Sequence, residues 1–482
     1  MADTIFVILY FTALTALSLF GLHKYFLIYL YRKYRNQPLP KPVLPEEWPE
    51  VCVQLPVFNE RYVVERLIRA TAALNYPREK LHIQLLDDST DATTAIAAKV
   101  IGELREKGFR IEHIRRPERR GYKAGALDYG LNRISAEYIA VFDADFVPHP
   151  DFLKETIPYL LQPGIGMVQT RWGHLNRDYS LLTQIQAIFL DAHFLIEHLA
   201  RHRTGRFFNF NGTAGVWRKK AIQDAGGWQH DTLTEDLDLS YRAQLVGWKF
   251  LFLPDVVSPA ELPVDVNAYK SQQHRWAKGS VQTAMKLIPT IWRSDFPFFV
   301  KLEATIHLSN NFAYLLMAIP SLLILPVLKF QVESDLWWPL ILYLTIFFSA
   351  TVSVVVYYLH AIKAGLGRLW PEVLYLPGLI SLGIGLSINN GRAALEALLG
   401  RQSGFVRTPK FCIEGKRSSV GKRRYRLRRN YFFLIELAFA GYFTAGMVYF
   451  IQMGYYYSLP FFLLFQFGFF YLGINSMLAE RS

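Results

Sequence analysis

From Val51 onward, short β-branched runs alternate with stretches of helical periodicity. VCVQLP precedes a helix near 62–74, HIQLL a helix near 92–107 and RIEHI a helix over 123–133, and YIAVF ends the series just before Asp143. This alternation predicts a mostly parallel sheet with helices on both faces. Ligands of such sheets sit at the carboxyl ends of the strands, where Asn59, Asp87, Asp88, Asp143 and Asp145 fall. A helical stretch over 191–203 and the strand-like WKFLFLP follow.

Elsewhere the apolar runs are too long for this pattern. Residues 5–22 have about the length needed to cross hydrocarbon and lead into aromatic residues and Arg32, Lys33 and Arg35. Asp3 is the only early charge, so an uncleaved anchor is expected over 1–35 rather than a signal peptide. The proline-rich QPLPKPVLPEEWP then reads as a linker along the membrane surface. Residues 268–288 mix apolar side chains with Lys270, Arg275, Lys278 and Lys286, which fits a surface-lying amphipathic helix. Further apolar stretches lie near 311–329, 337–359, 371–389, 431–452 and 456–477. With Lys363 and Arg368 on the inner side, and the basic stretch 392–429 there too, an odd number of crossings between them is disfavoured. The expectation is therefore a re-entrant or interfacial element at 371–389 and five spans, with the amino terminus outside and the carboxyl terminus inside.

Composition agrees with a chain that is part soluble and part membrane: of 482 residues, 51% are hydrophobic and 15% aromatic. The net charge of +13 is concentrated around 32–41 and 416–429, beside apolar segments. Anionic lipid and the positive-inside rule account for it better than nucleic acid. Cys52 and Cys412 stand far apart in unlike contexts, which argues against a disulfide framework or a zinc site.

Candidate chemistry lies in a fixed order of short motifs. Asp87 and Asp88 of DDST end the second strand, where a carboxylate can accept from a base NH or a ribose hydroxyl, although the same residues could cap a helix. GYKAGAL sets Lys123 in a tight turn ahead of a helix, suited to a phosphate. FDADF puts Asp143 and Asp145 at a strand end, able to face one metal-diphosphate, with Mg2+ or Mn2+ as the ion. Asp236 of TED, with Glu235 beside it, is the candidate catalytic carboxylate that takes an acceptor proton. In QQHRW, Gln272 and Arg275 can bind diphosphate oxygens, and Trp276 offers an apolar platform for a sugar face. FVRTPK at 405–410, with Arg407, Thr408 and Lys410, can close over a nucleotide and exclude water.

LDDST, GYKAGAL, FDADF, FNGTAG, TED and QQHRW together resemble the processive family 2 glycosyltransferases, most closely the plant cellulose synthase-like A and C proteins. The resemblance implies an α/β GT-A (Rossmann-like) cytosolic domain plus an α-helical transmembrane region, and an inverting transfer from UDP-glucose or GDP-mannose to a growing β-linked, β-1,4 polysaccharide. It also implies that Phe210, Asn211 and Gly212 lie near the acceptor, and that FVRTPK is a gating loop whose usual valine is replaced by Arg407. The expected organisation is an anchor at 1–35, a catalytic domain at 36–265, interfacial helices at 266–300 and a transmembrane region at 301–482 with the gating-like loop at 403–430. The plasma or inner membrane would house a bacterial chain, the Golgi a eukaryotic one. Competing readings are a glucosyltransferase acting on a membrane lipid such as ceramide or diacylglycerol, and a transporter with a degenerate enzyme domain.

Overall fold

The computed structural model describes residues 2–334, 342, 345–416 and 431–479. The expected basic tract at 416–429 therefore lies almost wholly outside the described residues, as does the start of the apolar stretch at 337–359.

Seven strands form one sheet in the order β3-β2-β1-β4-β6-β5-β7. The predicted series appears as β1 (Val51–Val57), β2 (Leu81–Asp87), β3 (Ile111–Ile114) and β4 (Tyr138–Val141), all parallel. Val51, Val53 and Leu55 are fully buried, as is Cys52 on the other face, because helices cover both sides of the sheet. Helices at Val64–Ala72, Thr93–Glu106 and Tyr122–Leu131 supply that cover and match the expected ones closely. Beyond them, β5 (Ile165–His174) pairs antiparallel with β6 (Gly215–Arg218) and parallel with β7 (Lys249–Ala260), while β6 also runs antiparallel to β4. The reversal at β6 makes the sheet mixed.

Among the described residues, six helices are long and apolar enough to cross a membrane. Those at Thr4–Tyr34, Phe312–Phe330, Phe348–Leu366, Phe433–Gln452 and Leu459–Ala479 answer to expected spans. The sixth occupies the segment expected to be re-entrant or interfacial, and Leu376–Leu398 is one unbroken helix rather than a broken turn. Both of its ends rest on elements that pack against the sheet domain. Leu376 and Leu379 pack with Leu182 and Ile185, and Glu396 pairs with Lys278 at 3.1 Å.

The first helix is fastened to the sheet domain by buried charge. Lys24 pairs with Glu197 (2.6 Å) and His23 with Glu303 (2.9 Å), while Arg201 bridges both carboxylates at 3.2 and 3.0 Å. Removing one member would leave a buried charge without its partner, typically a cost of about 3–5 kcal/mol.

Candidate active site

The carboxyl ends of β1, β2 and β4 open onto one cavity, roofed by the Val266–Arg293 helix and by the segment after Leu398. Its walls include Asp88, Lys123, Asp143, Asp145, Asn211, Gly212, Glu235, Asp236, Gln272, Arg275, Trp276, Thr408 and Lys410. Motifs up to 322 residues apart in sequence, from Asp88 to Lys410, thus share one space.

Asp143 and Asp145 follow β4 and are each met by a lysine: Lys123 Nζ stands 2.5 Å from Asp143, and Lys410 Nζ stands 2.7 Å from Asp145. Lys123 also donates to the Gly212 carbonyl (2.9 Å). Burial alone would lower the Lys123 ammonium, but Asp143, Glu235 and Asp236 outweigh it and hold the group raised. Among the described residues no cluster of three or more His, Cys, Asp or Glu could by itself hold a metal ion.

Asp236 sits in the first turn of the Glu235–Leu245 helix. Gly212 passes so close that an added Cβ would lie 2.9 Å from an Asp236 carboxylate oxygen, and its φ of +80° is itself a glycine conformation. Burial, reinforced by Glu235, pushes the Asp236 carboxyl up to about 7 against the pull of Lys123. The roofing helix can descend onto this turn because Gly279 meets Thr234, where a Cβ would come within 2.5 Å of the threonine side chain. That contact sets Gln272, Arg275 and Trp276 above Asp236.

The 405–410 segment lies in the cavity. Phe405 stacks on Tyr122 with ring centroids 5.9 Å apart, and the Arg275 guanidinium stands 4.6 Å from the Phe405 ring. Arg407 donates to Glu60 at 2.8 Å, so the residue that replaces the expected valine ties the segment to the chain just past β1. Burial lifts the Glu60 carboxyl to about 8 even though Arg407 lowers it. The backbone N–H of Phe411 donates to Glu261 at 2.6 Å, and Lys410 reaches the Glu261 carbonyl.

Two residues expected at the site are placed elsewhere. Asp87 is buried under the cavity floor, where it accepts from His113 (2.9 Å) and from the Ser89 N–H (2.8 Å). Burial would raise its carboxyl, yet the bonds from His113 and Ser89 hold it down at about 2. Phe210 is fully buried against Trp217, 5.7 Å between centroids, and belongs to the core. Conversely, the motifs did not single out Glu60, Arg119 and Glu261, although all three line the cavity. Glu60 was findable as an acid just past a strand end, whereas Arg119, 3.4 Å from the Phe58 ring centroid, gave no such signal.

Residues 49–279 match the family described as Glycosyltransferase like family 2. Glucomannan 4-beta-mannosyltransferase 2 of Arabidopsis thaliana is 39% identical over 329 residues, covering 64% of this chain and 61% of that protein. Glucomannan 4-beta-mannosyltransferase 1 of Oryza sativa subsp. japonica is 39% identical over 330 residues, covering 64% and 63%. The chain thus spans somewhat less than two thirds of these curated relatives. Among solved structures, the mannosyltransferase PcManGT from Pyrobaculum calidifontis, in complex with GDP-Man and Mn2+, aligns with a TM-score of 0.57 at 20% identity, over 82% of this chain and 99% of that one. The likeness shows the GT-A fold.

Proposed function

We propose, from the match of residues 49–279 to the family 2 glycosyltransferases, that the chain is a membrane-embedded hexosyltransferase that lengthens a β-1,4-linked polysaccharide from a nucleotide sugar. The observation that carries this reading is the convergence of Asp143, Asp145, Asp236, Gln272, Arg275 and Trp276 on one cavity closed by the 405–410 segment. The names of the curated relatives favour a mannosyl unit, and GDP-mannose is the first donor to test against UDP-glucose.

Asp236 serves as the base. A carboxyl lifted to about 7 is poised to accept a hydroxyl proton near neutral pH while the nucleotide departs from the opposite face of the sugar. Asp143 and Asp145 are hard oxygen donors two residues apart, and two lysine ammoniums now neutralise them, so the site suits a divalent cation such as Mn2+ or Mg2+. When bound, such an ion would stabilise the charge on the leaving diphosphate. Asp88 and Lys123 are assigned to the nucleotide, as are Gln272, Arg275, Thr408 and Lys410, with the two arginine and glutamine side chains supplying donors to diphosphate oxygens. Trp276 offers its ring to the acceptor beside Asn211 and Gly212. The sheet domain faces the cytosol, and the Leu376–Leu398 helix runs along the interface, since both its ends rest on that domain's side.

Purified protein incubated with labelled GDP-mannose and UDP-glucose, in the presence of Mn2+, tests the reading. Long β-1,4 products at early times, with most acceptor untouched, are expected. A single sugar on a lipid as the sole product would replace the polymer reading with the lipid one.

A further inference from the structure

The first helix reaches the cavity through a chain of side chains. Lys24 pairs with Glu197, whose carboxylate also meets Arg201 at 3.2 Å and the Tyr357 hydroxyl at 2.8 Å. Glu197 is fully buried, and that burial would raise its carboxyl, but Lys24, Arg201 and His193 hold it well below the usual range. It is therefore a fixed negative charge. His193 Nδ1 faces it at 3.5 Å, one turn back in the only π-helical turn outside the candidate spans among the described residues, His193–His198. On the other side of the ring, His193 Nε2 lies 2.8 Å from Asn211 Nδ2.

These contacts set the direction of every proton. A carboxylate only accepts, so with the ring's proton on Nδ1, toward Glu197, the Nε2 lone pair faces Asn211. That lone pair takes the Asn211 N–H, which turns the amide so that Nδ2 faces His193 and Oδ1 points the other way. Asn211 lines the cavity, and its Oδ1 is buried with no hydrogen-bond partner among the described residues. An unmet buried acceptor is unfavourable, so a ligand hydroxyl that reaches it is bound the more readily.

We infer that His193 is a positioning residue that aims Asn211 Oδ1 at a hydroxyl of the acceptor glycan. The inference rests on the proposed function for the nature of the ligand and names the group that selects it.

Two substitutions separate the halves of the ring. His193→Gln keeps an acceptor near Nε2 for Asn211 and abandons Glu197, whereas His193→Asn keeps a donor toward Glu197 and abandons Asn211. With intact protein in detergent and β-1,4-mannotetraose or cellotetraose as the probe, binding is measured by calorimetry without donor, followed by steady-state transfer. The inference expects His193→Asn and His193→Ala to weaken tetraose binding and raise its KM about tenfold, with the nucleotide-sugar KM within twofold of wild type and His193→Gln within threefold for both ligands. Equal losses in the Gln and Asn variants, or a matching loss in nucleotide-sugar KM, would mean a purely structural His193 and overturn it. Tetraose binding that shows the Gln and Asn split in a protein that transfers no sugar would uphold the positioning of Asn211 by His193 and remove the polymerase reading. Wild-type protein that binds neither tetraose would overturn the positioning itself.

Discussion

Asp236 feels opposite consequences of being buried. Burial and Glu235 lift its carboxyl from 3.8 to about 7, so between those values the folded chain keeps a proton that the unfolded chain has lost. The stability tied to this proton is fully present below about pH 4 and is lost as pH rises through about 7. Asp236→Asn should therefore flatten the fall in Tm between pH 4 and pH 7 in a thermal melt, while lowering kcat by about 10²–10⁴-fold with donor binding retained. In the wild type, kcat/KM should rise with pH up to about 7 and level above it. Wild-type turnover in the asparagine variant would take Asp236 out of the reaction. A second residue-scale expectation concerns Asp145: EDTA should stop transfer and Mn2+ restore it, with Asp145→Ala losing that response. Full activity in metal-free buffer would refute it. At this scale the sequence was informative wherever chemistry and position coincided, as with Asp143, Asp145 and Asp236. It misled at Asp87 and Phe210, because a polar or aromatic residue one position along a strand or loop turns to the opposite face, and the motif does not say which face is wet.

The 405–410 segment is held in the cavity by three contacts: Phe405 on Tyr122, Arg407 on Glu60 and Lys410 on Asp145. The Arg407 pair is the least expected of them. Arg407→Val should remove its hydrogen-bonded tie to Glu60 and so release the segment, raising donor KM and proteolytic cleavage near 405–410. Glu60→Gln, which keeps an acceptor for the guanidinium, should leave both close to wild type, and equal release in that variant would show that the tie depends on charge. The strands and helices of the first half were legible because each shows a clear period and ends on turn residues. The pairing of β5 and β6 was not. IGMVQTRWGH ends in a half-buried, mixed run, and GVWR is only four residues long, too short to show a period. Their antiparallel reversal depends on contacts between residues some fifty apart, which no local pattern records.

Across the whole molecule, membrane helices and sheet domain are joined by buried ions rather than by a flexible tether. Lys24→Met should lower the thermal midpoint by several degrees, since it leaves Glu197 buried with one cation fewer. An unchanged melt would show that Arg201 alone satisfies the carboxylate. The expected number of spans was the least secure reading from the chain, because hydropathy measures length and apolarity and not where the two ends of a helix come to rest. Leu376–Leu398 has the composition of a span and packs its middle, through Ile380, Ile384 and Ile388, among the aromatic side chains of Phe443, Phe462 and Phe469 in the last two described helices.

A comparable pin lies farther along. Lys270, two residues before Gln272 and five before Arg275 on the roofing helix, is buried against Glu436 at 2.6 Å, in the helix Phe433–Gln452, and its Nζ also reaches Ser476 at 3.2 Å. Translation delivers Lys270 long before either partner, and delivers residues 405–410 long after Asp236. During synthesis the sheet can fold and take up donor while its roof still lacks an anchor and its lid has not left the ribosome. The enclosed cavity is thus completed only once the last helices are in place.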